Sequence, residues 1–212
     1  VVVDPVEGAF NNRHTAVENT HNLEAIYLDV PPTKWTDYMP LENMLVLDKV
    51  YPNGIKIPTC FKGKNIIHLP TVKTHVFTSM TGAMKNAFGG LLHRKRHWTH
   101  SVIHETLVDL LRIQKELHPG IFAVMDGTFA GDGPGPRAMR WHEKNILIAS
   151  ADQVAIDAVA AKLMGLDPMN LKFIRLADEA GLGVGRIKDI EIVGNNITKE
   201  NWQFSVHENT FA

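Results

Sequence analysis

Apolar and polar positions along this chain alternate between two periods, one suited to short buried strands and one to amphipathic helices. Residues 1–3 and 25–30 read as strands, and Pro31, Pro32 and Pro40 break the stretch that follows. Apolar runs at 44–50 and 55–57 flank Tyr51-Pro52-Asn53-Gly54, and Asn-Gly predicts a hairpin between them. Residues 65–69 form a short strand stopped by Pro70, and 78–88 suit a helix ended by Gly89-Gly90. The longest helical pattern runs over 99–117 and is closed by Pro119-Gly120. Strands at 121–125 and 146–149 bracket a glycine-rich stretch. An alanine-rich helix follows at 152–164, ended by Gly165, then a helix at 169–180, ended by Gly181-Leu182-Gly183. Residues 190–193 read as a last strand. This order predicts an α/β fold, a mixed and mostly parallel sheet flanked by helices on both faces. Residues 1–194 read as one domain and 195–212 as a polar C-terminal tail.

Composition narrows the class. With 212 residues, 44% of them hydrophobic, the chain is long enough for one ordinary core. A net charge of −1 lacks the basic excess of nucleic-acid binders. The longest apolar run is far short of a membrane span, so the chain reads as soluble. The single cysteine, Cys60, allows no internal disulfide and no cysteine-held zinc or iron–sulfur cluster, and it tilts the compartment toward a reducing, cytoplasmic one. The opening Val1-Val2-Val3-Asp4-Pro5 has no methionine and reads as a strand already under way. The expectation is a processed or truncated chain, and a processed secretory precursor would read the same.

Four places carry candidate chemistry. Between the strands at 121–125 and 146–149 lies Asp126-Gly127-Thr128-Phe129-Ala130-Gly131-Asp132-Gly133-Pro134-Gly135-Pro136-Arg137. It reads as a loop at the carboxyl end of a strand, where α/β proteins bind ligands. Asp126 and Asp132 suit general bases or metal ligands. Gly131 and Gly133 allow close backbone approach, and Arg137 suits a carboxylate or phosphate. The alternative is a tight surface loop in which Asp126 caps a turn.

Lys73-Thr74-His75, just past Leu69-Pro70, offers the two side chains most easily tuned to acid–base work near neutrality. Lys85 and Asn86 lie on the following helix, too far along for one helix face, so Lys73 and Lys85 meet only if the turn folds back. The plain alternative is two solvated lysines and a loop histidine.

His93, His97, His100 and His104 are spaced by four, three and four residues, one stripe on an ideal helix. His97, His100 and His104 are the candidate metal ligands, with His142 and Glu143 as additions. A cap at Thr99 or Ser101 would break the stripe, and Arg94, Lys95 and Arg96 disfavour a cation. The alternatives are that His100 and His104, in line with Leu107 and Leu111, are the polar end of a buried face, and that Arg94, Arg96 and His97 form an anion-binding rim. Finally, Ser150 or Asp152 is a natural N-cap, and Asp157 sits among Val154, Ile156, Ala158 and Val159. A carboxylate there needs buried partners. It reads as a structural brace on the N–H groups of the glycine loop, or else as a residue that orients a catalytic group.

Several of these blocks together resemble the family called domain of unknown function 362. They are residues 69–75, Thr81-Gly82-Ala83-Met84-Lys85-Asn86-Ala87-Phe88-Gly89, Asp126-Gly127, Gly131-Asp132-Gly133-Pro134, residues 151–165 and Gly181-Leu182-Gly183. The resemblance spans residues 1–194. It implies an α/β protein whose relatives are often fused to a ferredoxin-like iron–sulfur module. This chain lacks cluster cysteines and, against the family pattern, the first strand and the helix after it.

Two function classes follow. One is an enzyme doing acid–base chemistry on a small anionic organic molecule, or redox chemistry if a flavin or an external iron–sulfur protein joins. Lys73 and His75 would move protons, and Lys85, Asn86 and Arg137 would hold the anion. The other is a non-catalytic module that binds a metal, cofactor or anion and serves an electron-transfer partner.

Overall fold

The computed structural model describes residues 2–4, 25–28, 31–41, 43–92, 94–197 and 199–206. Two short strands, β1 (Val2–Asp4) and β2 (Ala25–Tyr27), pair in parallel. β3 (Trp35–Tyr38) is followed by a single helical turn, α1 (Leu47–Val50), and by β4 (Ile55–Pro58), which pairs antiparallel with β3. The expected hairpin between 44–50 and 55–57 is therefore not formed. Its cause is remote in sequence: the buried Asp109 carboxylate accepts the N–H groups of Leu45, Val46 and Leu47 (2.8, 2.9 and 3.1 Å) and holds that stretch as a helix start.

The central sheet is built around one long strand. β5 (Ile66–His68) and β6 (Thr71–His75) follow one another, with Leu69-Pro70 between them. A two-residue strand, β7 (Ser79–Met80), turns back on β6 and leads into α2 (Gly82–Gly90). After a 3₁₀ segment (Arg94–Val102) and α3 (Ile103–Leu117) comes β8 (Ile121–Asp132), then β9 (Arg140–Ser150). β5 and β6 both run parallel to β8, and β9 lies antiparallel to it. The described part of the chain ends with α4 (Gln153–Met164), α5 (Lys172–Glu179) and an irregular stretch. The α/β class and the mixed sheet are as the sequence predicts.

The glycine stretch is not the loop its composition suggests. Residues 126–132 continue β8, because β9 pairs with them as far as Asp132↔Arg140. Glycine permits this pairing: a Cβ at Gly127 would lie 2.6 Å from Ile146, and one at Gly131 would lie 2.8 Å from the Met139 sulfur. Only residues 133–139 turn.

α3 carries Ile103, Leu107, Leu110 and Leu111 into the core, where they meet α2 and α5. α2 and α4 pack on each other and on the sheet. Of the described sheet residues, Ile67, Phe122, Phe129, Trp141 and Leu147 are exposed, as is Leu69 between β5 and β6. α4 begins as predicted: Asp152 accepts the N–H groups of Val154 and Ala155 (2.8 and 2.9 Å). It ends at Gly165 in the left-handed conformation, φ +93°.

Residues 190–193 form no strand. A 3₁₀ turn at Ile187–Asp189 precedes them, and Ile190 and Ile192 instead face β9 and α4 across a cleft of about 360 Å³. Further on, Trp202 and Phe204 donate their N–H groups to the last carbonyls of α4, Leu163 and Met164 (2.8 and 2.9 Å), and Phe204 is buried. Among the described residues no helix is long and apolar enough to cross a membrane.

Candidate functional site

Two lysines from different elements come together where β6 meets α2. Lys73 is on β6, not in a loop beyond the preceding strand. The fold-back that the sequence requires is made by Thr81, whose N–H and hydroxyl both donate to the Lys73 carbonyl (3.0 and 3.1 Å). Thr81 is the residue before α2, so Lys85 lies one turn beyond that clamp. Burial lowers the Lys73 ammonium below the ordinary lysine range. Burial, with the charge of Lys73 added, lowers Lys85 to about 8. Among the described residues neither ammonium forms an ion pair with a carboxylate. Lys85 Nζ instead lies 5.0 Å over the Phe88 ring.

His75, at the end of β6, is buried, and its Nδ1 accepts the Phe77 N–H (3.1 Å). That bond fixes the neutral tautomer with its proton on Nε2. Burial, then Lys85, His100 and Lys73, push its pKa down to about 3. His75 is thus a neutral hydrogen-bond donor near neutrality rather than a proton carrier.

The histidine stripe does not form. Residues 94–102 are 3₁₀, with three residues per turn, so His97 and His100 fall over one another, ring centroids 5.3 Å apart. His100 stacks on Phe77 at 5.0 Å and touches Phe88 at 5.5 Å. Burial and the charges of His97 and Lys85 lower its pKa. His104 is on α3 and stacks on Phe173 of α5 instead. Among the described residues no three His, Cys, Asp or Glu side chains gather as a metal site. His93 and the side chain of Arg94 lie outside the described residues. Arg96 is buried and His97 exposed.

The two carboxylates of the glycine stretch are both engaged, one by backbone alone and one by backbone and side chains. Asp126 is exposed and accepts the Thr128 N–H (2.8 Å) at the bulge in β8. Asp132 is buried, accepting the Ser205 N–H (2.6 Å) and the Arg140 guanidinium (2.7 Å), with His142 at 3.4 Å. The turn beyond it docks on the end of β6: Gly133 accepts the Thr74 hydroxyl (2.6 Å), and Gly135 accepts the Val76 N–H (3.0 Å). Gly131 pairs with Lys73 in register, and Arg137 stands exposed on this turn.

Asp157 is buried as expected, but its hydrogen-bond partners are not the expected ones. It accepts the N–H groups of Ala83 and Met84 (2.5 and 3.0 Å), the free donors at the start of α2, not those of the glycine stretch. Asp152 also accepts the Val184 N–H (2.9 Å), tying the 181–185 turn to α4.

Two elements of the site have no local signal. Asn86 hydrogen-bonds His68 (3.2 Å), and His68 in turn bonds Gln114 (2.5 Å), a polar link between α2, β5 and α3. Nothing around His68 distinguishes it from a strand residue. Phe77 and Phe88, which lie against His75 and Lys85, are joined to one another by His100 of the 3₁₀ segment, which lies against both.

The sequence pattern of the family described as Domain of unknown function (DUF362) matches residues 7–162. Among curated proteins, the chain is similar to a thylakoid-associated protein of Synechocystis sp., 30% identical over 124 residues, covering 55% of this chain and 37% of that protein. The chain thus matches little more than a third of that relative's length. No solved structure gives a significant match.

Proposed function

Since the chain belongs to the family described as Domain of unknown function (DUF362), a description that assigns no reaction, we propose its role from the site itself. It is an enzyme that binds a small anionic organic molecule between Lys73 and Lys85 and moves a proton on it. The observation that carries this reading is two neighbouring, partly desolvated lysines with no carboxylate partner among the described residues. Burying two like charges is costly, and an anion offsets that cost. Lys85, lowered to about 8, holds both ammonium and amine forms near neutral pH. That suits a general acid or base. Lys73 holds the anion, and neutral His75 donates from Nε2. Arg137, on the turn docked beside β6, adds a positive rim.

The alternative is a module that holds the same anion, a metal or a cofactor for an electron-transfer partner without turnover. Such a module has no need of a lysine tuned toward neutrality, and the lowering of Lys85 favours the enzyme. The test is a thermal-shift screen of small carboxylates and phosphates on the wild type, Lys73→Met and Lys85→Met. The reading expects stabilisation of the wild type alone by at least one ligand class. Equal stabilisation of all three proteins overturns it.

A further inference from the structure

Beside the lysines runs an unbroken row of rings. From Lys85 over Phe88, the row continues to His100 (5.5 Å), to Phe77 (5.0 Å, planes 27° apart) and to His75 (5.6 Å). His100 and Phe77 are only half-buried, and exposed His97 extends the row outward from His100. Four elements contribute to it: the end of β6, the β6–β7 turn, α2 and the 3₁₀ segment. The imidazoles of His75 and His100 are held neutral beside the two ammonium groups, so they present flat, uncharged faces.

We infer that the anion taken at Lys73 and Lys85 is carried on a flat conjugated ring, an aromatic carboxylate in its simplest form, whose ring lies on Phe77 and His100. The inference rests on the lysines being the anion site and names its substrate class. A saturated acid would use the lysines and leave the half-exposed rings wet. An aromatic acid places its carboxylate on the ammonium groups and gains an offset stack as well, worth up to about tenfold in affinity.

The experiment titrates the wild-type chain with benzoate, cyclohexanecarboxylate and acetate, following the His100 ring and lysine side-chain resonances by NMR. The expected result is benzoate binding about fivefold or more tighter than cyclohexanecarboxylate. Phe77→Leu is expected to bring the two to equal affinity. Equal affinity of the two acids for the wild type overturns the ring inference and leaves the anion site standing. No response of the lysines to any of the three removes the anion site and this inference with it. The wild-type series needs no variant, so a Phe77→Leu protein that failed to fold would not spare the inference.

Discussion

Gly82 and Asp157 share one space. At φ +77°, a Cβ on Gly82 would fall on the Asp157 carboxylate, 2.5 Å from its Cγ. The missing side chain lets the carboxylate reach the Ala83 and Met84 N–H groups and fixes the start of α2, the helix that carries Lys85. Gly82→Ala therefore adds a left-handed strain to a direct clash. We expect a loss of more than about 2 kcal/mol in urea denaturation. A loss within 0.5 kcal/mol, roughly the range of surface substitutions, would contradict the packing.

The Asp157 carboxyl itself gives a pH signature. Burial raises its pKa to about 7, although both N–H bonds pull the other way. In the unfolded chain it ionises near pH 4. Between those values the folded protein keeps a proton that the unfolded chain has released, so this group's contribution to stability falls as pH rises from about 4 to about 7 and is flat above. The urea midpoint of the wild type minus that of Asp157→Asn should fall across this window. A flat difference would show that Asp157 ionises normally.

Asp132 is expected to act on stability and not on ligand. Its carboxylate is occupied by the Ser205 N–H and the Arg140 guanidinium, so Asp132→Ala removes two bonds to a charged acceptor and costs about 1–3 kcal/mol. Carboxylate binding should be unchanged when measured well below the melting temperature. Loss of binding with unchanged stability would return Asp132 to the chemistry.

What the sequence discloses is local. Asp152 as a cap, Gly165 as a stop and Asp157 as a buried carboxylate each follow from neighbours within a turn or two. The hairpin expected around Asn53-Gly54 fails because Asp109, more than sixty residues away, sets the backbone of residues 45–47. The glycine stretch becomes strand because Ile146 and Met139 need the room that its glycines leave. The lysine pair is legible as two candidate residues. Their meeting depends on Thr81 closing onto Lys73, a contact that spacing alone does not disclose. The ring row depends on a 3₁₀ segment, whose three-residue period the helical reading of the histidines misses.

Removing one lysine should retune the other. Lys73→Met takes away a neighbouring positive charge, so the Lys85 pKa should rise above about 8, though burial keeps it below the ordinary lysine range. The variant should bind carboxylates more weakly while melting no earlier than the wild type. An unchanged Lys85 midpoint would mean the two ammonium groups do not feel each other.

The most direct test of the account is a pH titration of the lysine ¹³Cε resonances, with and without added benzoate. Lys85 should titrate near 8 in the free protein and distinctly higher with benzoate present, since a bound anion favours the charged form. A Lys85 midpoint at the ordinary lysine value, unmoved by benzoate, would contradict the account.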